Sequence, residues 1–123
     1  MTQSDKQTKP NSAISKVIGQ YKEKIGGKLF KYHVKEWDLD IYYRAISNMY
    51  VEQEIMSLQQ MGKTSEALIQ SIILKAVDVD GNRLFSKMDK EELMREADPA
   101  VIIRVATKLN NAIDMPKEDI EGN

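Results

Sequence analysis

The sequence predicts a predominantly helical α+β fold in which a small antiparallel sheet with hairpins packs on four to five helices. Three observations carry that expectation. Residues 30–34 alternate apolar and polar side chains with the two-residue period of a half-buried strand. Several other stretches repeat apolar residues at helical spacing. An Asp80-Gly81 pair between short apolar runs marks a tight turn. At 123 residues the chain fits a single domain with a modest core.

Residues 1–12, MTQSDKQTKPNS, are polar and contain Pro10, so they are expected to form a disordered leader. Ser12 is placed to cap a helix whose Ile14, Val17, Ile18, Tyr21 and Ile25 share one face, and Gly26-Gly27 ends it. In KLFKYHVKEW, Phe30, Tyr32 and Val34 alternate with Lys31, His33 and Lys35; after Asp38-Leu39-Asp40 the run IYYR is its antiparallel partner. Ser47 caps a helix to about Met61 with Val51, Ile55, Leu58 and Met61 along one side, and Gly62 stops it. Residues 64–77 form a more apolar helix, with Leu68, Ile69, Ile72, Ile73 and Val77 inward, as the central core element.

The Asp80-Gly81 hairpin follows, flanked by Val77 and Val79 before and Leu84 and Phe85 after. Ser86 with Asp89 makes a shortened capping box for a helix to about Ala97. Asp98-Pro99 then supplies an N-cap and a first-turn proline for a last helix bearing Val101, Ile102, Val105 and Leu109. The globular domain is expected over 13–113, and 114–123 as a flexible acidic tail.

Charge and composition exclude several function classes. Eighteen lysines and arginines nearly cancel nineteen aspartates and glutamates, so no global field draws the chain to nucleic acid or an anionic membrane. The lack of cysteine removes disulfides and thiolate metal sites. With no apolar targeting region or spanning run, the expectation is a soluble, unexported protein.

The stretch AVDVDGNRLFSKMD resembles a calcium loop but fits neither register. With Gly81 at the sixth position the ends become Ala76 and Lys87; starting at Asp78 puts Arg83 in the glycine place and Asp89 where glutamate belongs. No metal site is expected. His33, the only histidine, has no nucleophile motif beside it. Gly26-Gly27 lies between helix and strand, the reverse of a phosphate loop. Glu91, Glu92 and Glu96 interleave with Lys87, Lys90 and Arg95 as surface pairs. Trp37, Tyr42 and Tyr43 are assigned to the core of the small sheet. No catalytic residue and no cofactor is expected.

Methionine usage is the distinctive feature. Met49, Met56, Met61, Met88, Met94 and Met115 fall mostly on expected helices, and flexible thioethers suit surfaces that accommodate varied apolar partners, although they also fill gaps in cores. Met49, Met56 and Met61 are the candidate partner-binding residues. Met56 lies one position from the Val51, Ile55, Leu58 stripe.

The order VKEWDLDIYYRAIS, helix, apolar helix running into AVDVDGNRLFS, acidic-start helix and DPAVIIRVATKLN resembles the tail assembly chaperones of long-tailed bacteriophages and prophages. Trp37, Arg44, Ser47, Asp78, Asp80, Gly81, Arg83, Leu84, Phe85, Leu109 and Asn110 occupy the places of that pattern, over roughly residues 28–110. The resemblance implies a non-enzymatic role: holding the tape measure protein soluble while tail tube subunits polymerise round it, in the host cytoplasm, then leaving before the virion is mature. It also implies a longer product made by ribosomal frameshifting, through which the tail tube protein could be engaged, and it leaves a homo-oligomer open. The alternatives are a structural tail or head-tail joining protein retained in the virion, or a small regulator or enzyme of unrelated function.

Overall fold

A computed structural model of the chain describes residues 12–27 and 29–111. The expected leader up to Asn11, the acidic tail and Met115 fall outside them. Five α-helices and one two-stranded antiparallel sheet make up a predominantly helical α+β fold among the described residues. In chain order the elements are α1 (Ala13–Ile25), β1 (Phe30–Val34), β2 (Leu39–Tyr43), α2 (Met49–Gln60), α3 (Thr64–Lys75), α4 (Lys90–Glu96) and α5 (Pro99–Asn110), with short 3-10 turns at Lys35–Trp37 and Lys87–Asp89.

Helix α3 is the centre. Its Ala67, Ile69, Ile72 and Ile73 are buried, and it packs on α2, α4 and α5. From the other side come Val101, Ile102, Val105, Ala106 and Leu109 of α5, with Val34, Ile41 and Tyr43 of the hairpin closing the core. The β1 residues Phe30, Tyr32 and Val34 face this core, while Lys31 and His33 are exposed. Strand β2 begins two residues earlier than the run IYYR suggests, because the 3-10 turn and Asp38, at φ 50°, reverse the chain within four residues and bring Leu39 opposite Val34.

Capping chemistry fixes most helix boundaries. Ser12, Ser86 and Asp98 accept backbone N–H groups at the starts expected of them, and the Ser86–Asp89 capping box is closed in both directions. Ser47 does not cap α2. Asn48 does, accepting from the Val51 N–H at 3.0 Å, because the Ser47 hydroxyl donates instead to the Glu52 carboxylate. At the other end Gly62 adopts φ 78°, and its N–H donates to the Gln59 carbonyl while that of Lys63 donates to Leu58. Those paired bonds form a Schellman motif, which only a left-handed residue completes without strain.

The stretch expected to run helically to Val77 ends at Lys75. Val77 leaves α3 and exchanges both backbone hydrogen bonds with Tyr42, each 2.8 Å, so it extends the sheet edge instead of adding to the helix face. The following turn is also looser than a two-residue hairpin. Gly81 alone takes positive φ (88°), and Asp80 does not; the Asp78 carboxylate accepts the N–H groups of Asp80 and Asn82 at 2.9 Å each. The flanks meet only through the single Val77–Arg83 bridge. The two helix-and-turn glycines serve different needs: a Cβ on Gly26 would lie 2.6 Å from the Lys22 carbonyl oxygen, whereas Gly81 has room and is required by its φ.

Candidate functional site

Two exposed surfaces could engage a partner. The first is the outer side of α2. Its Ile55 is buried and Val51 and Leu58 are half-buried, which turns Met49 and Met56, seven residues apart, outward together. Met49 is 70% exposed and Met56 42%. Gln53 and Gln60 lie between and beyond them on one flank, and Glu52, three residues after Met49 and four before Met56, borders them on the other, its 41% exposed side chain paired with Lys75. Met61, expected to continue the Val51–Leu58 stripe, does not: the helix ends at Gln60, and Met61 is an exposed C-cap residue at the α2–α3 corner, off the Met49–Met56 line as well. Tyr50, 85% exposed, lies about 100° round the helix from Met49. It is not among the candidates read from the sequence; its place as the second residue of α2, off the Val51–Leu58 stripe, is the signal that marks it as exposed.

A mostly buried polar network holds this helix in place. The Lys75 ammonium donates to the Glu52 carboxylate of α2 at 2.9 Å and to the Asn110 amide oxygen of α5 at 2.8 Å. The Asn110 amide nitrogen donates to the Ser71 hydroxyl at 3.0 Å, which in turn donates to the Ala67 carbonyl. Partial burial raises the Glu52 carboxyl, but the hydrogen bonds from Ser47 and Lys75 outweigh it and hold the group below its ordinary range. No buried side-chain polar atom among the described residues lacks a partner. Asn110, the residue that closes the Leu-Asn pair of the last helix, thus ties α5 to α3 and, through Lys75, to α2.

The second surface is an open cavity of about 280 Å³ walled by Trp37, Leu39, Phe85 and Leu93, with the exposed carboxylates of Glu96 and Asp98 at its edge. Trp37 and Phe85 meet edge to face at 6.4 Å. Of the aromatics assigned to the core, Tyr43 is buried, whereas Trp37 and Tyr42 are half-buried. Trp37 packs against the core with one side and presents the other to this cavity.

Beside it, Glu36 binds Arg104 of α5 through both carboxylate oxygens, at 2.5 and 3.0 Å, and Arg104 also donates to the Tyr32 hydroxyl at 2.9 Å. The Arg104 hydrogen bonds hold the Glu36 carboxyl down at about 2. Lys108 lies 5.6 Å from the centre of the Tyr32 ring.

His33 is exposed and pairs with Asp40 across the strands at 2.7 Å. The charges of 87–96 are only partly local: Arg95 meets Glu91 and Glu96, but Lys90 reaches Glu66 of α3 at 2.8 Å and Lys87 approaches Glu54 of α2 at 3.9 Å. Among the described residues no three His, Cys, Asp or Glu side chains group as metal ligands, and no helix is long and apolar enough to cross a membrane. Comparison with protein-family models, with curated proteins and with solved structures finds no match to this chain.

Proposed function

We propose that this protein is a tail assembly chaperone of a long-tailed phage or prophage, which binds the tape measure protein, keeps it soluble and promotes tail tube polymerisation around it. The reading is supported chiefly by the exposed thioethers of Met49 and Met56, which share one face of α2, a helix whose other side is fixed to the core. An amphipathic helix of a partner can lie along such a face, and unbranched thioethers re-pack around differing aliphatic side chains more readily than branched ones do. That adaptability suits a long client with many similar helical segments. The ordered residues from Trp37 to Asn110 that resemble the chaperone pattern add a second, independent support.

On this reading the role is non-enzymatic, is carried out in the host cytoplasm, and ends before the virion is mature. A longer frameshifted form would extend the contact to the tail tube protein. A structural protein retained in the particle would differ in one observable: it would be found by mass spectrometry of purified virions.

Co-expression with the tape measure protein tests the site. Wild-type chain is expected to keep that protein soluble, with little sensitivity to salt because the contact is apolar and the net charge is −1. Met56→Asp should lose about 2 kcal/mol of binding while shifting folding stability by no more than about 0.5 kcal/mol. Full rescue by Met56→Asp would reject the α2 face; failure of the wild-type chain would reject the chaperone assignment.

A further inference from the structure

Helix α1 has a continuous apolar stripe that is half-buried at Tyr21 and Ile25 and open to solvent over its N-terminal half. Ile14, Val17 and Ile18 are exposed, Val17 by 63%, and no residue of the helix is buried. At about 3.6 residues per turn, Lys22 and Lys24 fall on opposite flanks of the stripe at its C-terminal end, where flanking charges select partners in paired helices. With Lys16 against the single Glu23, the helix carries a net charge of +2.

The Trp37 cavity has the opposite character. It is apolar inside and bordered by Glu96 and Asp98. The two segments that build most of it are acidic: residues 35–40 hold one lysine against three carboxylates, and 87–98 hold three basic residues against five. At about 280 Å³ it falls just short of the roughly 300–1,000 Å³ typical of small-molecule pockets, and it suits inserted aliphatic side chains better than a cofactor. We propose that the cavity receives α1 from a second copy of this chain, with Ile and Val side chains of the stripe seated against Trp37, Phe85 and Leu93 and the flanking lysines beside Glu96 and Asp98.

Docking within one chain is disfavoured by the tether. Only residues 26–29 join α1 to β1, so the lysine-bearing end of the helix is held near Phe30. Phe30 pairs with Tyr43 at one end of the hairpin, whereas Trp37 and Leu39 lie at the other, next to Val34. A second copy brings its lysines to the carboxylates without that constraint. An anionic membrane is a poorer occupant, because the rest of the described chain is net acidic and gains nothing by approaching it. Reciprocal exchange of α1 between two copies closes the assembly and makes the contact twice. The interface uses neither Met49 nor Met56 and does not depend on the chaperone reading.

Trp37 is the only tryptophan in the chain, so its emission reports occupancy of the cavity alone. Sedimentation velocity and tryptophan emission are measured together on the full chain from about 1 to about 500 µM, a range that captures weak association. The mass is expected to rise from monomer to dimer while the emission moves to shorter wavelength in step with it. Val17→Asp should abolish both changes and leave the melting curve unaltered at the monomer end of the range, because the residue is exposed there. Lys22→Glu with Lys24→Glu should weaken association about tenfold, and Glu96→Lys in the same chain should recover most of that loss.

Four results would overturn the proposal. A monomer throughout the range is one, and dimerisation without a change in Trp37 emission, as when α1 pairs with α1, is another. Blue-shifted emission at constant monomer mass would place α1 or another group of the same chain in the cavity. Co-sedimentation with phosphatidylglycerol vesicles in place of dimerisation would assign the stripe to a lipid surface.

Discussion

Helices α1 and α5 are nearly equal in length, and each repeats branched aliphatic residues every three or four positions. Five residues of α5 are buried against α3 and the hairpin, while α1 buries none. The difference lies outside the helices. The Asp98-Pro99 start aims α5 back across α3, and Arg104 and Lys108 fasten its outer side to Glu36 and Tyr32. Two glycines follow α1, and no residue of it enters the core cluster. Helical periodicity therefore says that a stripe has apolar area to cover, and says nothing of whether the same chain covers it.

Placing the same charge on each stripe makes the sharpest test of that contrast. Val105→Asp in α5 buries a carboxylate at a fully enclosed site and should cost about 4 kcal/mol or more, enough to abolish cooperative melting in a domain of ordinary stability. Val17→Asp in α1 should move the thermal midpoint of the dilute monomer hardly at all. Comparable destabilisation by the two, followed by circular dichroism, would mean that α1 packs on the body in solution.

How α5 is fastened can be sharpened next. Asn110→Ala leaves the buried Ser71 hydroxyl without its donor and Lys75 without one acceptor, and a loss of about 1–3 kcal/mol is expected in denaturant titration. A change within error would show that water replaces the amide without penalty.

The surface clasp at the opposite face of α5 should matter least, and its signature is a pH dependence. Glu36 is held at about 2 by Arg104, below the ordinary value of 4.5. A lowered folded-state value means that its contribution is complete above the unfolded value, and is lost as pH falls from about 4.5 toward 2. Arg104→Gln should return the Glu36 carboxyl toward 4.5 and flatten stability against pH in that window. Carbon-detected NMR titration of the side chain reads it directly; a Glu36 midpoint near 4.5 in the wild-type chain would show that the clasp does not persist in solution.

Where the sequence was legible, the reason was local chemistry. Ser12, Ser86, Asp98 and Gly62 set helix ends through bonds made within a few residues of themselves, and the Phe30–Val34 alternation needs only its own strand to be read. The misplacements have tertiary causes. Ser47 loses the cap to Asn48 because Glu52, held by Lys75 of the next helix, captures its hydroxyl. Val77 departs from α3 because Tyr42 offers a sheet edge thirty-five residues earlier in the chain. The exposure of Met49 and Met56 followed from their position off the Val51–Leu58 stripe, but the Trp37 cavity did not, since its walls come from 37–39, Phe85 and 93–98. No periodicity links residues that far apart.

Lys75 has a consequence for how α2 meets a partner. One ammonium, with Glu52 on one side and Asn110 on the other, anchors α2 at the same junction that holds α5 to α3. Swinging α2 outward would strand a charge that is now mostly enclosed, so the helix is kept from moving when something lands on it. A binding surface that is already stiff has little freedom left to surrender on contact, and more of each apolar contact appears as affinity. The side chains of Met49 and Met56 remain free to change rotamer on that rigid backbone, which separates two properties that usually trade against each other: the platform is fixed, and only its tips adapt.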